Sequence, residues 1–327
     1  MKKIAIIGSG SWGMALAIHL AKMNNEIKVW SYEQKEADLI NNEKKCMFLP
    51  NINLPENIVC YTDMESVIKD SEIIFHVTPS KFTRKVFKQY KEYISNQPVI
   101  ICSKGFECET LYTLNEVLKE ELPGIKTGVL SGPSHAEEVA IEIPTAIVIA
   151  SEDKNIREYV QELFMNENMR VYTSEDVIGV ELGGGLKNMI AFCTGIATEI
   201  GLGDNSFAAL LTRGLAEIKR LGTKMGGNVD TLYGLTGLGD LIVTCMSEHS
   251  RNRKAGRLIG KGLSLEEVKK EVGMTIECID NIEVAYKLSK KFDIEMPIVE
   301  TVYAVLYENL KPEEAVKQLM TRERKSE

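Results

Sequence analysis

Six residues near the start of the chain, Gly8-Ser-Gly-Ser-Trp-Gly13, constrain the fold more than any other stretch. An apolar run at residues 3–7 precedes them and indicates a buried strand, while residues 14–23 follow with helical character. In this context the first glycine permits a tight turn, the second lets backbone approach a pyrophosphate, and the third lets helix and strand pack closely. The motif therefore predicts a dinucleotide-binding unit. The alternative is a glycine-rich turn with a purely structural role.

Further apolar runs alternate with helical or loop stretches up to about residue 175, at 27–30, 72–77, 99–102, 128–130 and 146–149. Such alternation favours an α/β fold with a doubly wound, mostly parallel sheet. From Ser174 onward the periodicity is helical without a clear strand. We therefore expect a Rossmann-type domain over residues 1–175 and an all-helical domain over residues 176–327, for which the length of the chain suffices.

Charge and composition exclude several classes of partner. The net charge of -8 and the pI near 5.4 disfavour nucleic acid and anionic membranes. The apolar runs are too short to cross a bilayer and no signal-peptide pattern precedes the first strand, so we expect a cytoplasmic protein without membrane insertion. Seven cysteines without CxxC spacing predict reduced thiols, and the four histidines form no convincing metal cluster, so we expect no metal.

A lysine inside an apolar helical segment is the strongest candidate for chemistry. Residues 181–194 place leucine, methionine, isoleucine and phenylalanine at helical spacing around Lys187. Lysine is rarely buried without a partner or a task, although its ammonium can also extend to solvent along the apolar stem. Asp240, which ends a glycine-rich turn at residues 234–239, is a candidate partner. The alternative is that Asp240 only caps the helix it begins.

Polar clusters follow three predicted strands, at residues 78–80, 103–105 and 131–135, where ligands bind in parallel sheets. Lys104 lies directly after a strand and is a candidate contact for a substrate anion or oxygen; a solvated loop lysine is the alternative. His135 is a weaker candidate for a general base, because the spacing supplies no Asp or Ser partner.

A second polar cluster, Ser250-Arg-Asn252, lies in the helical part of the chain. A hydroxyl, a guanidinium and an amide side by side can satisfy several oxygens of a phosphate, and arginine adds bidentate geometry. Taken alone, such residues are equally typical of an ordinary basic helix surface.

The residues after the second predicted strand, Ser31-Tyr32-Glu33, bear on the choice of cofactor. A carboxylate at this place accepts hydrogen bonds from the adenosine ribose and repels a 2′-phosphate, so Glu33 favours NAD over NADP. The alternative is that Glu33 caps the next helix.

Six motifs, in order and with fitting spacing, resemble those of bacterial NAD(P)-dependent glycerol-3-phosphate dehydrogenases over essentially the whole chain. The resemblance implies a Rossmann-type domain followed by an all-helical domain, a homodimer, and an oxidoreductase that reversibly reduces dihydroxyacetone phosphate to sn-glycerol 3-phosphate with NAD(H) or NADP(H), supplying glycerol phosphate for phospholipid biosynthesis. The motifs are Gly8 to Gly13, Ser103-Lys-Gly105, Ser131 to Val139, Glu181 to Asn188, Gly237-Leu-Gly-Asp240 and Ser250-Arg-Asn252.

The resemblance also implies a role for each matching residue. Lys187 is the catalytic proton donor and acceptor, with Asp240 holding it and Lys104 beside it. The implied substrate contacts, with their neighbours Asn188 and Thr244, are Lys104, Gly132, Ser134, Lys187, Asn188, Asp240, Thr244, Ser250, Arg251 and Asn252. The implied cofactor contacts are Gly8, Gly10, Ser11, Trp12, Gly13, Tyr32, Glu33, Lys104, Ala136, Arg251, Thr275 and Glu277.

Three positions depart from the family pattern. Gly185 replaces an alanine two residues before the lysine, which should cost about 1 kcal/mol of helix stability or loosen the segment. Cys278 stands where glycine is common, and Tyr32-Glu33 replaces a histidine or arginine pair, which puts NADP use in doubt. We also expect the glycines at residues 183–185 to let backbone approach the cofactor closely.

Two other functions fit a dinucleotide-binding fold. One is a related β-hydroxyacid or 6-phosphogluconate type dehydrogenase, against which the Ser-Arg-Asn and Gly-Leu-Gly-Asp motifs argue. The other is a catalytically idle dinucleotide-sensing module, which the intact lysine and aspartate disfavour.

Overall fold

The chain forms two compact units in a computed structural model that describes residues 1–324 and 326. The first unit comprises Met1–Lys104 and Tyr112–Glu181, and the second comprises Gly105–Leu111 and Leu182–Glu327. By its contacts the first unit continues to Glu181 and lacks the short segment Gly105–Leu111. The predicted domain boundary at residues 175 and 176 stays a prediction. The predicted second domain reaches residue 327, so its residues 325 and 327 lie outside the described residues.

The first unit is built on one eight-stranded sheet. Its strands are β1 Lys3–Ile7, β2 Glu26–Trp30, β3 Ile58–Tyr61, β4 Ile73–His76, β5 Val99–Ile101, β6 Thr127–Ser131, β7 Thr145–Ala150 and β8 Met169–Ser174. Their order is β3-β2-β1-β4-β5-β6-β7-β8, and neighbouring strands are parallel except for the antiparallel pair β6 and β7. The predicted mostly parallel α/β fold is confirmed.

The helices of the first unit connect and cover these strands. They are α1 Ser11–Lys22, α2 Gln34–Asp38, α3 Met64–Ile68, α4 Thr83–Tyr90, α5 Leu114–Glu121, α6 Ala136–Ala140 and α7 Lys154–Phe164. Strand β1 lies between β2 and β4, so the chain order of the strands reverses there. In sheets of this kind ligands bind beyond the carboxyl end of the strands at such a reversal, which is where Gly8 follows β1.

Apart from Gly105–Leu111 and the connecting turns, the described part of the second unit is helical. Its helices are α8 Val177–Glu199, which starts at the end of the first unit, α9 Asp204–Lys224, α10 Val229–Tyr233, α11 Asp240–Met246, α12 Arg251–Gly260, α13 Leu265–Val272, α14 Glu277–Lys291, α15 Pro297–Tyr307 and α16 Pro312–Met320. A short π-helical turn, Leu235–Gly239, leads directly into α11. The core of the unit forms around α8, whose Leu186, Met189, Ile190 and Phe192 are fully buried.

A buried glutamate joins two helices of the second unit. Glu217 on α9 is 2% exposed, and its two carboxylate oxygens accept hydrogen bonds from the backbone amides of Ile298, at 2.8 Å, and Val299, at 3.2 Å. These amides belong to the first turn of α15, and the amides of a first turn have no carbonyl partner within their own helix. Glu217 therefore caps α15 from a neighbouring helix.

Replacing Glu217 with glutamine is expected to remove part of the pH dependence of stability. Burial raises the pKa of Glu217 from 4.5 to about 7. The folded protein therefore holds the proton of the Glu217 carboxyl group more tightly than the unfolded chain does. The free energy of unfolding therefore falls as the pH rises from about 4.5 to about 7, whereas glutamine has no proton to lose. Urea unfolding at both ends of this range should show the wild type losing stability relative to Glu217→Gln. Exposed Glu271→Gln is the matched control, and parallel pH profiles for wild type and Glu217→Gln would contradict the prediction.

None of the helices that the structure describes is long and apolar enough to cross a membrane.

Candidate active site

The loop after β1 has the geometry that the glycine motif predicts. Gly8 adopts a φ of 125°, and a Cβ there would lie 2.7 Å from the carbonyl oxygen of Val77. A Cβ at Gly13 would overlap the carbonyl oxygen of Gly8, so helix and strand pack as closely as predicted. At Gly10 a Cβ would meet no described atom within 4 Å, which leaves the backbone open to approach.

The start of α1 suits a pyrophosphate. Gly10 occupies the N-cap position of this 12-residue helix and has no side chain to occupy the first amides. Free amides at a helix N-terminus, together with the helix dipole, favour an anion. The open backbone at Gly10 and these amides fit the phosphates of a dinucleotide.

A hydrogen bond connects the residue after β2 to the glycine-rich loop that follows β1. The hydroxyl of Ser9 donates to that of Ser31 at 2.9 Å, and the oxygen of Ser31 in turn accepts from the backbone amide of Glu33 at 3.3 Å. Glu33 holds the N-cap position of α2, yet within the described residues its carboxylate makes no capping hydrogen bond. Tyr32 and Glu33 are both exposed. The alternative reading of Glu33 as a helix cap is therefore wrong for its side chain.

Residues from two separate strand ends meet at one carbonyl. The oxygen of Gly132 accepts hydrogen bonds from Lys104 Nζ at 3.1 Å and from Ser134 Oγ at 3.0 Å. Gly132 has a φ of 141°, which favours glycine at this position. His135 follows as the N-cap of α6, which Ala136 begins. Lys104, Gly132 and Ser134 thus form one polar cluster in the first unit, and Lys104 is half-buried rather than a solvated loop lysine.

In the second unit, Lys187 is buried and paired. Its side chain is 7% exposed, and Nζ donates to Asp240 Oδ1 and, at 2.8 Å, to Thr244 Oγ1. The hydroxyl of Thr244 donates to the backbone oxygen of Asp240 at 2.6 Å. Because α8 is buried on every side around Lys187, the ammonium does not extend to solvent. Asp240 both begins α11 and holds the lysine.

Glycines in α8 make this pairing possible. A Cβ at Gly183 would lie 2.7 Å from the backbone oxygen of Thr236, in the π-helical turn that leads into Asp240. A Cβ at Gly185 would lie 2.8 Å from the ring of Phe106, and the carbonyl of Gly185 accepts from Asn281 Nδ2 at 3.2 Å. A Cβ at Gly183 or Gly185 would thus face protein groups, and the approach of residues 183–185 to the cofactor stays a prediction. Sequence patterns gave no signal for Phe106 or Asn281, because their contacts with α8 are non-local.

The Ser250-Arg-Asn252 cluster is built into the fold. Ser250 caps α12 by accepting from the amide of Arg253 at 3.2 Å, and both Ser250 and Asn252 are buried. Arg251 Nη1 donates to the backbone oxygen of Thr275 at 3.2 Å. Asn252 Oδ1 accepts from the backbone amide of Cys278 at 3.0 Å. The alternative of an ordinary solvated helix surface is wrong for Ser250 and Asn252.

Two helix N-termini meet at Asn252. This residue lies in the first turn of α12 and contacts the first turn of α14, so the positive ends of both helix dipoles lie close together. The guanidinium of Arg251 adds a full charge beside them. These groups suit an anion such as phosphate, and the carboxylate of Glu277, the first residue of α14, is the negative group beside them.

Asn188 and Glu277 join the same part of the second unit. Asn188 follows Lys187 in α8 and is 2% exposed, and its Nδ2 donates to Glu277 Oε2 at 3.2 Å. The residues predicted for the second unit therefore fall into two connected groups. One contains Lys187, Asp240 and Thr244; the other contains Asn188, Ser250, Arg251, Asn252, Thr275 and Glu277.

Two family models match the chain. One, described as the N-terminus of NAD-dependent glycerol-3-phosphate dehydrogenase, matches residues 3–157. The other, described as the C-terminus of the same enzyme, matches residues 176–317.

Curated relatives and solved structures agree with these matches. A protein of Fusobacterium nucleatum named glycerol-3-phosphate dehydrogenase (NAD(P)+) is 49% identical over 100% of this chain and 99% of its own length. A protein of Bacillus pumilus with the same name is 48% identical over 98% of this chain and 95% of its own length. The crystal structure of glycerol-3-phosphate dehydrogenase from Coxiella burnetii superposes with a TM-score of 0.95 at 38% identity, covering 98% of this chain and 99% of that one.

Proposed function

The chain belongs to the NAD-dependent glycerol-3-phosphate dehydrogenase family, and on that premise we propose that it interconverts dihydroxyacetone phosphate and sn-glycerol 3-phosphate. The observation that carries the proposal is the buried ammonium of Lys187, held by Asp240 and Thr244. A buried, positioned lysine is suited to exchange a proton with a substrate oxygen. In this role the protein supplies glycerol phosphate for phospholipid biosynthesis.

Lys187 performs the proton transfer in this mechanism. When bound, the nicotinamide dinucleotide supplies a hydride to C2 of the ketone or takes one from the alcohol. Lys187 polarises the C2 carbonyl and donates a proton to the oxygen as negative charge develops there; in the reverse direction it accepts that proton. The carboxylate of Asp240 accepts a charge-assisted hydrogen bond from the ammonium, and Thr244 fixes its direction.

The phosphate of the substrate is bound by Ser250, Arg251 and Asn252. The oxygen of Ser250 accepts the Arg253 amide, so its hydroxyl proton can point to the anion. Arg251 supplies charge and Asn252 supplies the Nδ2 donor. Further proposed substrate contacts are Lys104, Gly132, Ser134 and Asn188. Proposed cofactor contacts are Gly8, Gly10, Ser11, Trp12, Gly13, Tyr32, Glu33, Lys104, Ala136, Arg251, Thr275 and Glu277.

An absorbance assay of NADH oxidation tests this function. Dihydroxyacetone phosphate should be reduced efficiently, whereas dihydroxyacetone, which lacks the phosphate, should react poorly. In the oxidative direction, NAD with a β-hydroxyacid or 6-phosphogluconate should give no NADH. A folded protein that binds NADH but oxidises neither NADH nor NADPH with dihydroxyacetone phosphate would support the sensing module instead.

The wild type is expected to use NADH more efficiently than NADPH, and Glu33→Gln should narrow the difference. A carboxylate about 4 Å from a 2′-phosphate in water is unfavourable by about 1 kcal/mol, or roughly fivefold in relative efficiency. The ratio of kcat/KM for the two cofactors measures the effect. Exposed Glu92→Gln, in the same unit, is the matched control. A wild type that prefers NADPH, or a Glu33→Gln ratio equal to that of the control, would contradict the role of Glu33.

We also propose a cytoplasmic homodimer, because the family resemblance implies one. Light scattering on the purified protein tests the oligomeric state, and fractionation of the cells that produce the protein tests its location.

A further inference from the structure

The side chain of Asn252 replaces a missing helix cap. Helix α14 begins at Glu277, and the residue at its N-cap position is Ile276, whose aliphatic side chain cannot accept a hydrogen bond. An N-cap side chain normally accepts from the second or third amide of its own helix. Here Asn252 Oδ1, from α12, accepts from the amide of Cys278, the second residue of α14. The cap of α14 is therefore supplied by another helix.

This contact fixes the direction of the Asn252 amide. A carboxamide offers one oxygen as acceptor and one NH2 group as donor. Because the oxygen is bound to the start of α14, the Nδ2 group is the part that can donate to a phosphate oxygen. The buried side chain of Asn252 can thus donate to the anion through Nδ2 while Oδ1 accepts from the amide of Cys278 in α14.

The segment that Asn252 caps is held by other residues of the site as well. Glu277, the first residue of α14, accepts from Asn188, which lies next to Lys187 in α8. The backbone oxygen of Thr275, two residues earlier, accepts from Arg251. The position of Glu277 therefore depends on the side chains proposed to surround the phosphate.

We propose that Asn252 is a positioning residue that couples the phosphate site to the start of α14 and thereby to cofactor affinity. The inference rests on the proposed function, in which Ser250 to Asn252 bind phosphate and Glu277 contacts the cofactor. Phosphate bound to Nδ2 restrains the amide, which strengthens the cap and the placement of Glu277. By linkage the coupling is reciprocal, so the cofactor must strengthen phosphate binding by the same factor.

Two substitutions at one position separate the cap from the phosphate contact. Asn252→Asp keeps an oxygen for the Cys278 amide, and a carboxylate is favourable at a helix N-terminus, but it loses the donor and repels phosphate. Asn252→Ala loses both functions. NADH affinity, measured by fluorescence titration without phosphate, should stay near wild type in Asn252→Asp. It should weaken about tenfold in Asn252→Ala, as expected for one lost buried hydrogen bond.

Added inorganic phosphate extends the test. It should tighten NADH binding to the wild type and leave both variants unchanged. In the wild type it should also slow hydrogen exchange at the amide of Cys278, a measurement that needs no variant to fold. Ser264→Ala, which removes the cap of α13 in the same unit, is the control for loss of a helix cap and should leave NADH affinity unchanged.

The outcomes distinguish this inference from the proposed function. The coupling would be overturned if Asn252→Asp and Asn252→Ala bound NADH with equal affinity. It would also be overturned if added phosphate changed neither the NADH affinity of the wild type nor the hydrogen exchange of its Cys278 amide. Either result would leave the dehydrogenase assignment intact. Failure of the wild type to reduce dihydroxyacetone phosphate would overturn the assignment itself.

Discussion

Replacing Lys187 with methionine is expected to lower turnover of dihydroxyacetone phosphate by roughly 100- to 10,000-fold, the usual contribution of a positioned proton donor. Methionine fills much of the lysine stem but brings neither a charge nor a proton to the substrate oxygen. NADH binding should be retained, because Lys187 is not among the proposed cofactor contacts. Steady-state NADH oxidation and fluorescence titration measure the two effects separately. Near-normal turnover in Lys187→Met would show that another group transfers the proton.

Stability provides the matched control for this substitution. Asp240 is 1% exposed, so Lys187→Met leaves a buried carboxylate without its cation, at a cost of about 3–5 kcal/mol. The double variant Lys187→Met with Asp240→Asn removes both charges, and it should recover most of the free energy of unfolding while remaining inactive. Recovery of both stability and activity would mean that the single variant failed by unfolding rather than by loss of the proton donor.

The features that sequence predicted are those in which local chemistry decides the structure. Gly8 and Gly13 are required by a positive φ and by a close backbone approach, and both requirements act within one strand–turn–helix unit. Sequence left two possibilities for Lys187, a buried and paired ammonium or one that extends to solvent. Periodicity shows the apolar face of a helix but not what covers the opposite face. The structure buries α8 on every side around Lys187, so the lysine must be paired.

The apolar runs of the sequence did not indicate β3 and β8, which lie at the two edges of the sheet. In β3 the buried Ile58 and Cys60 alternate with exposed Val59, and in β8 Arg170 and Tyr172 are exposed between buried residues. An edge strand with one solvated face has no continuous apolar run, which is the signal that identified the central strands.

The missed parts of the site are non-local contacts. The carboxamide of Asn252 caps a helix that starts 25 residues later in the sequence (277 minus 252), and Phe106 fills the space that Gly185 leaves open. Neither contact follows from spacing or periodicity. For the same reason, sequence alone did not show whether the glycines of α8 face a ligand or the protein.

The packing of α8 against α12 links the lysine to the phosphate-binding residues. A Cβ at Gly256 on α12 would overlap the backbone oxygen of Phe192, and one at Gly195 on α8 would overlap the backbone oxygen of Arg253. Because these are backbone atoms, no side-chain rotation can relieve the overlap. Since α12 carries the Ser250 cluster at its N-terminus and α8 carries Lys187, the two glycines set the distance between proton donor and phosphate site.

Gly256→Ala is therefore expected to push α12 away from α8 and to lower kcat/KM for dihydroxyacetone phosphate by about 100-fold, the loss that a misplacement of about 1 Å produces. Overpacking should also lower the free energy of unfolding by about 1–3 kcal/mol. The matched control is Gly203→Ala, where a Cβ would meet no described atom within 4 Å and the backbone is extended. If Gly256→Ala kept the kcat/KM of the control, the spacing of α8 and α12 would not govern the position of the substrate.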